Sequence, residues 1–188
     1  MVSVDAAHRL GLRVGARWTS EAAEGVIESI AREEAMRAAM ATAGRSSVSR
    51  RRLIDKLCQK GHERAIATEA AARMVELGLV NDEAAADAAA RTIARRTPSG
   101  RALIESKLRA AGFDGTVARA AAQDAASERD ARADALALAR KKVRVLPRGL
   151  EPMARRRRVE GALARRGFDP DTCRWAAKQA LGAVSEEE

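Results

Sequence analysis

The sequence predicts an all-α protein, an elongated and curved array of three tandem three-helix repeats. Three observations predict it. An aliphatic stripe closed by glycine recurs in "KLCQKGHERA", "KLRAAGFDGT" and "ALARRGFDPD". Aromatic residues make up only 2% of the chain, so the apolar content rests heavily on alanine. A core of Ala, Leu, Val and Ile suits closely approaching helices rather than a thick sandwich. Finally, the helical segments around each stripe are too short to stand alone and must stack to bury their faces.

The first eighteen residues show no periodicity and read as an arm, residues 1–18. Repeat 1 spans 19–78. It opens with a helix over Glu21–Ala43 that "GRSS" ends, followed by the first stripe, Leu53, Leu57 and Gly61. Residues four apart share a helix face, and glycine then accepts the left-handed turn that stops the helix. A second helix runs from Arg64 to Leu77, Gly78 stops it, and Asn81 or Asp82 caps the next.

Repeat 2, residues 79–126, starts with Glu83–Arg96 and is interrupted at "TPSG". Its stripe is Ile104, Leu108 and Gly112, and its last helix is Gly115–Ala126. Repeat 3, residues 127–184, starts with Glu128 to about Val145 and is ended by "LPRGLEP". Its stripe is Val159, Leu163 and Gly167, and its last helix is Asp171–Leu181, before an acidic tail, 185–188. Phe113 and Phe168 follow their glycines where an apolar side chain folds back on the helix just ended, with His62 in that place in repeat 1. Asp114 and Asp169 suit N-caps or first-turn acids, and Pro170 suits a first helical turn.

The formal net charge is +9 and the pI about 10.6, which points to a polyanion or an acidic protein surface as partner. With the stripes facing inward, Arg52 and Lys56 point outward in repeat 1 with Lys60 nearby. Lys107 takes the matching place in repeat 2 with Arg101 and Arg109 around it. In repeat 3, Arg157, Arg158 and Arg165 face outward, flanked by Arg155, Arg156 and Arg166. Stacked repeats would align these ten candidate contacts (Arg52, Lys56, Lys60, Arg101, Lys107, Arg109, Arg157, Arg158, Arg165 and Arg166) into a basic track. The competing reading is that alanine-rich helices carry these charges for solubility alone. At helix ends, "ARRT" and "ARKKVR" also complement the negative helix terminus.

Cys58 and Cys173 lack zinc spacing and read as inert thiols, and neither His8 nor His62 has ligands at metal spacing. There is no P-loop, no dinucleotide-binding glycine pattern and no nucleophile with its base. A binding protein is expected, not an enzyme, with no cofactor and no metal. No apolar run reaches membrane-span length and no signal-peptide block opens the chain, so a cytoplasmic protein without a membrane partner is expected.

Four segments in order, "SRRRLIDKLCQKG", "ELGLVNDEAAADA", "SGRALIESKLRAAGFD" and "RRRRVEGALARRGFD", resemble the successive signatures of the RecX regulatory-protein family. The resemblance rests on Ser49, Leu53, Lys56, Leu57, Lys60 and Gly61, then Gly78 to Asp82, then Leu163, Gly167 and Phe168, with "RLGLRVG" resembling the lead into the first helix. It departs at Ala85, where the family carries an aromatic, and at Leu103, where Arg or Lys is common. The resemblance implies tandem three-helix repeats and a protein that lies in the groove of the RecA recombinase filament on DNA. There it would modulate, most often inhibit, recombinase, ATPase and co-protease activity in DNA repair and the SOS response. The partners so implied are RecA and, nonspecifically, the DNA backbone, with a monomer when free. Two further readings remain open, a stand-alone nonspecific nucleic-acid binder and a helical scaffold for an unrelated acidic protein.

Overall fold

A computed structural model describes residues 4–9, 11–15, 17–45, 48–147 and 149–185. The described residues form ten α-helices and no strand: α1 Val4–Arg9, α2 Ser20–Ala43, α3 Arg50–Gln59, α4 Arg64–Glu76, α5 Asp82–Arg96, α6 Arg101–Ala110, α7 Gly115–Ser127, α8 Ala131–Arg144, α9 Pro152–Ala164 and α10 Pro170–Ser185. None of them is long and apolar enough to cross a membrane. The chain divides into two compact units, Met1–Asn81 and Asp82–Glu188.

Three apolar clusters organise the helices. In the first unit, α2, α3 and α4 close around Ala35, Ala39, Leu53, Leu57, Ala70 and Met74. The second unit holds two clusters. One joins α5, α6 and α7 around Ala86, Ala90, Ile104, Leu108, Phe113 and Ala122. The other joins α8, α9 and α10 around Ala135, Ala139, Val159, Leu163, Phe168 and Ala176. We call these groups modules 1, 2 and 3. The aliphatic stripes are fully buried, since Leu53, Leu57, Ile104, Leu108, Val159 and Leu163 all have 0% exposure.

Each stripe ends in the same hydrogen-bonded turn. The amides of His62, Phe113 and Phe168 donate back to the carbonyls of Leu57, Leu108 and Leu163 at 3.2, 3.2 and 3.4 Å. The turn needs a left-handed residue just before that donor, and Gly112, at φ 89°, supplies it in module 2. Phe113 and Phe168 fold into their cores, whereas His62 is half-buried.

Helix starts are set by side-chain caps. Thr19, Ser49, Asp114 and Asp130 accept from the amides of Ala22, Arg52, Thr116 and Arg132, and Asp169 accepts from Thr172 at 2.9 Å. The Asp130 cap corrects the expected start of α8 at Glu128. The Glu128 amide still bonds the Asp124 carbonyl and finishes α7, while Asp130 takes the amides of Arg132 and Ala133, both at 3.0 Å. Two other expectations shift: α1 gives the N-terminal arm a short helix, and α10 runs on from Leu181 through Gly182 to Ser185. The remainder of the acidic tail, 186–188, lies outside the described residues.

Modules 2 and 3 meet backbone on backbone. The Gly100 amide donates to the Arg166 carbonyl at 2.8 Å and the Ala102 amide to the Gly167 carbonyl at 3.3 Å. Gly100 is the N-cap of α6 and has no side chain to cap with, so free amides at the start of α6 are satisfied by carbonyls of the turn that follows α9. Neither glycine tolerates a side chain. A Cβ on Gly100 would stand 2.1 Å from the Gly167 oxygen, and one on Gly167 would stand 2.2 Å from the Leu103 nitrogen.

Candidate functional site

The cations anticipated from the repeats lie on α3, α6 and α9 or just past the ends of α3 and α9, and they differ in how far they face away from the buried stripes. Burial of Val159 and Leu163 turns Arg157, Arg158 and Arg165 to solvent, and none of the three has an ion-pair partner among the described residues. Their neighbour Arg156 is tied to Glu160 at 2.7 Å. Arg166 is half-buried, and its carbonyl is spent on the junction with Gly100, so it is partly a structural residue.

Module 2 differs. Lys107 is exposed with no ion-pair partner among the described residues, but Arg109 pairs with Glu105 at 2.8 Å, and Arg119 approaches the same carboxylate at 3.8 Å. Arg101 turns toward Gln123, with 3.4 Å between its Nη1 and the amide oxygen. It lines a cleft of about 600 Å³ between modules 2 and 3, beside Gly100, Arg129, Asp134 and Phe168. The charges that line this cleft are mostly satisfied internally. Arg129 grips Asp134 through two hydrogen bonds at 2.6 and 2.8 Å, which raises the Arg129 pKa, and Asp169 is committed to Thr172. A cleft so neutralised has little left with which to attract a charged partner.

In module 1, Arg52 is exposed and Lys56 is half-buried rather than fully outward. Lys60 reaches across to Thr42, with Nζ 3.4 Å from the hydroxyl oxygen. Lys56 and Lys60 line a groove of about 320 Å³ with Ala41, Thr42, Gln59 and Arg45. Sequence reasoning passed over Arg45, which it treated as part of the loop ending α2. Its own position carried the only signal, a cation just past a helix C-terminus.

Charge is unevenly shared. Residues 127–188 hold 15 Lys and Arg against 10 Asp and Glu, whereas 82–126 hold seven against six, so module 3 carries most of the second unit's excess. No group of three or more potential metal-ligating side chains gathers among the described residues. Cys173 is buried, and desolvation with the nearby Asp169 and Glu160 charges raises its pKa, which disfavours the thiolate.

Comparison with known proteins gives these surfaces a context. A family model described as RecX, third three-helix domain, matches residues 130–176, which fall in module 3. Two solved RecX structures share the fold. One, from Lactobacillus salivarius, has a TM-score of 0.67 at 19% identity and covers 80% of this chain and 97% of its own. The other, a regulatory protein RecX, has a TM-score of 0.77 at 18% identity and covers 91% and 83%. The regulatory protein RecX of Chlorobaculum tepidum is 32% identical over 143 residues, 76% of this chain and 85% of that protein. On the strength of that relationship, the chain belongs to the RecX family of regulatory proteins.

Proposed function

We propose that this protein binds the RecA recombinase filament on DNA and inhibits its recombinase, ATPase and co-protease activities, acting by occupancy of the filament groove and not as an enzyme. Membership in a family of regulatory proteins carries this reading. The physical means is the set of cations on and just past α3, α6 and α9 that have no ion-pair partner among the described residues, chiefly Arg157, Arg158 and Arg165, which favour a surface of acidic side chains and phosphate. Contacts spread over several modules act together, so useful occupancy does not need one dominant residue. Encounter should be fast and should weaken as salt rises.

The excess of cations in module 3 also favours a second reading, a nonspecific DNA binder with no recombinase partner. One experiment separates them. The protein is titrated at matched moderate salt into RecA filaments and into bare DNA, with filament ATPase and strand exchange followed in parallel. Inhibition at concentrations that leave bare DNA largely unbound is the expected result. Equal binding to bare DNA with both filament activities unchanged would overturn the proposal.

A further inference from the structure

We infer that the groove between the C-terminal ends of α2 and α3 is a binding site for a phosphate of the DNA backbone, held by Arg45, Lys56 and Lys60. The inference deepens the reading of a protein docked on a DNA-bearing filament and rests on it. All of the groove's residues belong to the first compact unit, and no carboxylate is among those that line it. None of the three cations has an ion-pair partner among the described residues. Lys60 is oriented by Thr42, another residue of the lining: the Thr42 hydroxyl donates to the Ala38 carbonyl at 2.7 Å, which leaves its oxygen to accept from the Lys60 ammonium at 3.4 Å. The remaining Lys60 protons, the Lys56 ammonium, the Arg45 guanidinium and the Gln59 amide are then the free donors.

The simplest competing role for these cations is to complement the negative ends of α2 and α3. Magnitudes argue against that as their whole purpose. Each helix end carries about half a negative charge, so two ends offset roughly one of the three positive charges and leave about two. A multidentate donor set suits a phosphate, whose several oxygens can each accept, better than a single carboxylate. With no aromatic side chain in the lining, the groove has no platform for stacking a base, so the contact is with the backbone and reads no sequence.

The test uses the full chain without RecA. Inorganic pyrophosphate is titrated against amide NMR signals, and a labelled 15-nucleotide oligothymidylate of roughly one site length is followed by fluorescence anisotropy. Saturable pyrophosphate shifts centred on Thr42 to Arg45 and Lys56 to Lys60 are expected. Lys56→Gln with Lys60→Gln should weaken oligonucleotide binding about five-fold and lower the slope of log affinity against log salt by about 0.7 for each phosphate no longer engaged. Arg45→Ala should act in the same direction. Arg64→Ala with Arg73→Ala removes the same charge from cations paired to Asp55 and Glu76, and should have a clearly smaller effect. Lys60→Gln alone, at an exposed position, keeps the test valid if the double variant unfolds. Equal weakening by the control pair would overturn the site in favour of diffuse attraction. A glutamate-rich peptide shifting the same amides at lower concentration than pyrophosphate would overturn it in favour of carboxylates. Either outcome leaves filament inhibition by the wild-type protein to stand or fall separately.

Discussion

Gly100 and Gly167 cross with no room for a side chain on either, and two amides at the start of α6 bond the Arg166 and Gly167 carbonyls in the turn after α9 across that contact. The crossing fixes one cation-bearing helix against another, so the spacing of Lys107 from Arg157 and Arg158 depends on a backbone contact rather than on side-chain packing.

Gly167→Ala and Gly100→Ala should therefore each destabilise the second unit by roughly 3 kcal/mol, from overpacking and the loss of junction hydrogen bonds. Gly61→Ala is the informative comparison. Its φ is 93°, but an added Cβ meets nothing within 4 Å, so only the conformational cost of about 1 kcal/mol applies. Denaturant unfolding followed by far-ultraviolet circular dichroism, which reports on both units, measures all three variants. In a Trp18→Phe background Trp175, with the Arg132 guanidinium 5.3 Å above its ring, reads the Gly100 and Gly167 variants in the second unit alone.

Asp169 connects the turn after α9 to the start of α10. Hydrogen bonds from the Thr172 side chain and amide hold its carboxyl below the ordinary value of 3.8. Because the folded pKa is depressed, the stabilisation is fully present above 3.8 and is lost as pH falls through the folded pKa. Asp169→Ala should cost about 1 kcal/mol at neutral pH through the missing cap. Urea unfolding of both proteins at neutral pH and in strong acid should show that difference shrinking in acid.

Leu163→Ala removes a fully buried side chain whose surroundings include Ala135, Ala139 and Ala176. Such short neighbours cannot swing in to fill the space, so the loss should fall near the upper part of the leucine-to-alanine range, about 4 kcal/mol. Guanidinium unfolding measures it.

Replacement of Arg157, Arg158 and Arg165 together by alanine should leave helix content intact and change stability by no more than about 0.5 kcal/mol per site, because none of the three is paired with a carboxylate among the described residues. Under the proposed function, the concentration needed for half-inhibition of filament ATPase should rise several-fold at moderate salt. Circular dichroism and the ATPase titration together check both halves. A collapse in melting temperature would mean that these arginines hold the fold together.

The stripes and their turns were legible because they are local. An aliphatic residue, a second one four positions on and then a glycine specify a helix and its stop, and Asp114 and Asp169 mark the next start. Helix periodicity also turned Arg157, Arg158 and Arg165 correctly to solvent. It could not show what each cation meets there. Arg109 is one turn beyond Glu105 and is partly neutralised by it, while Lys56, next to the inward Leu57, lies at the edge of its helix's buried face. The junction was illegible for a different reason. "TPSG" reads locally as a break between helices, and nothing near Gly100 signals that Gly167 will lie on top of it. The groove at Arg45 likewise exists only once the ends of α2 and α3 converge.

Alanine supplies 18 of the 31 buried apolar residues among those described. A methyl group exposes little new apolar surface when the chain opens, so the heat capacity of unfolding should be low for a protein of this length. The stability curve should then be unusually flat, with the protein losing little on cooling and only gradually on warming until its midpoint.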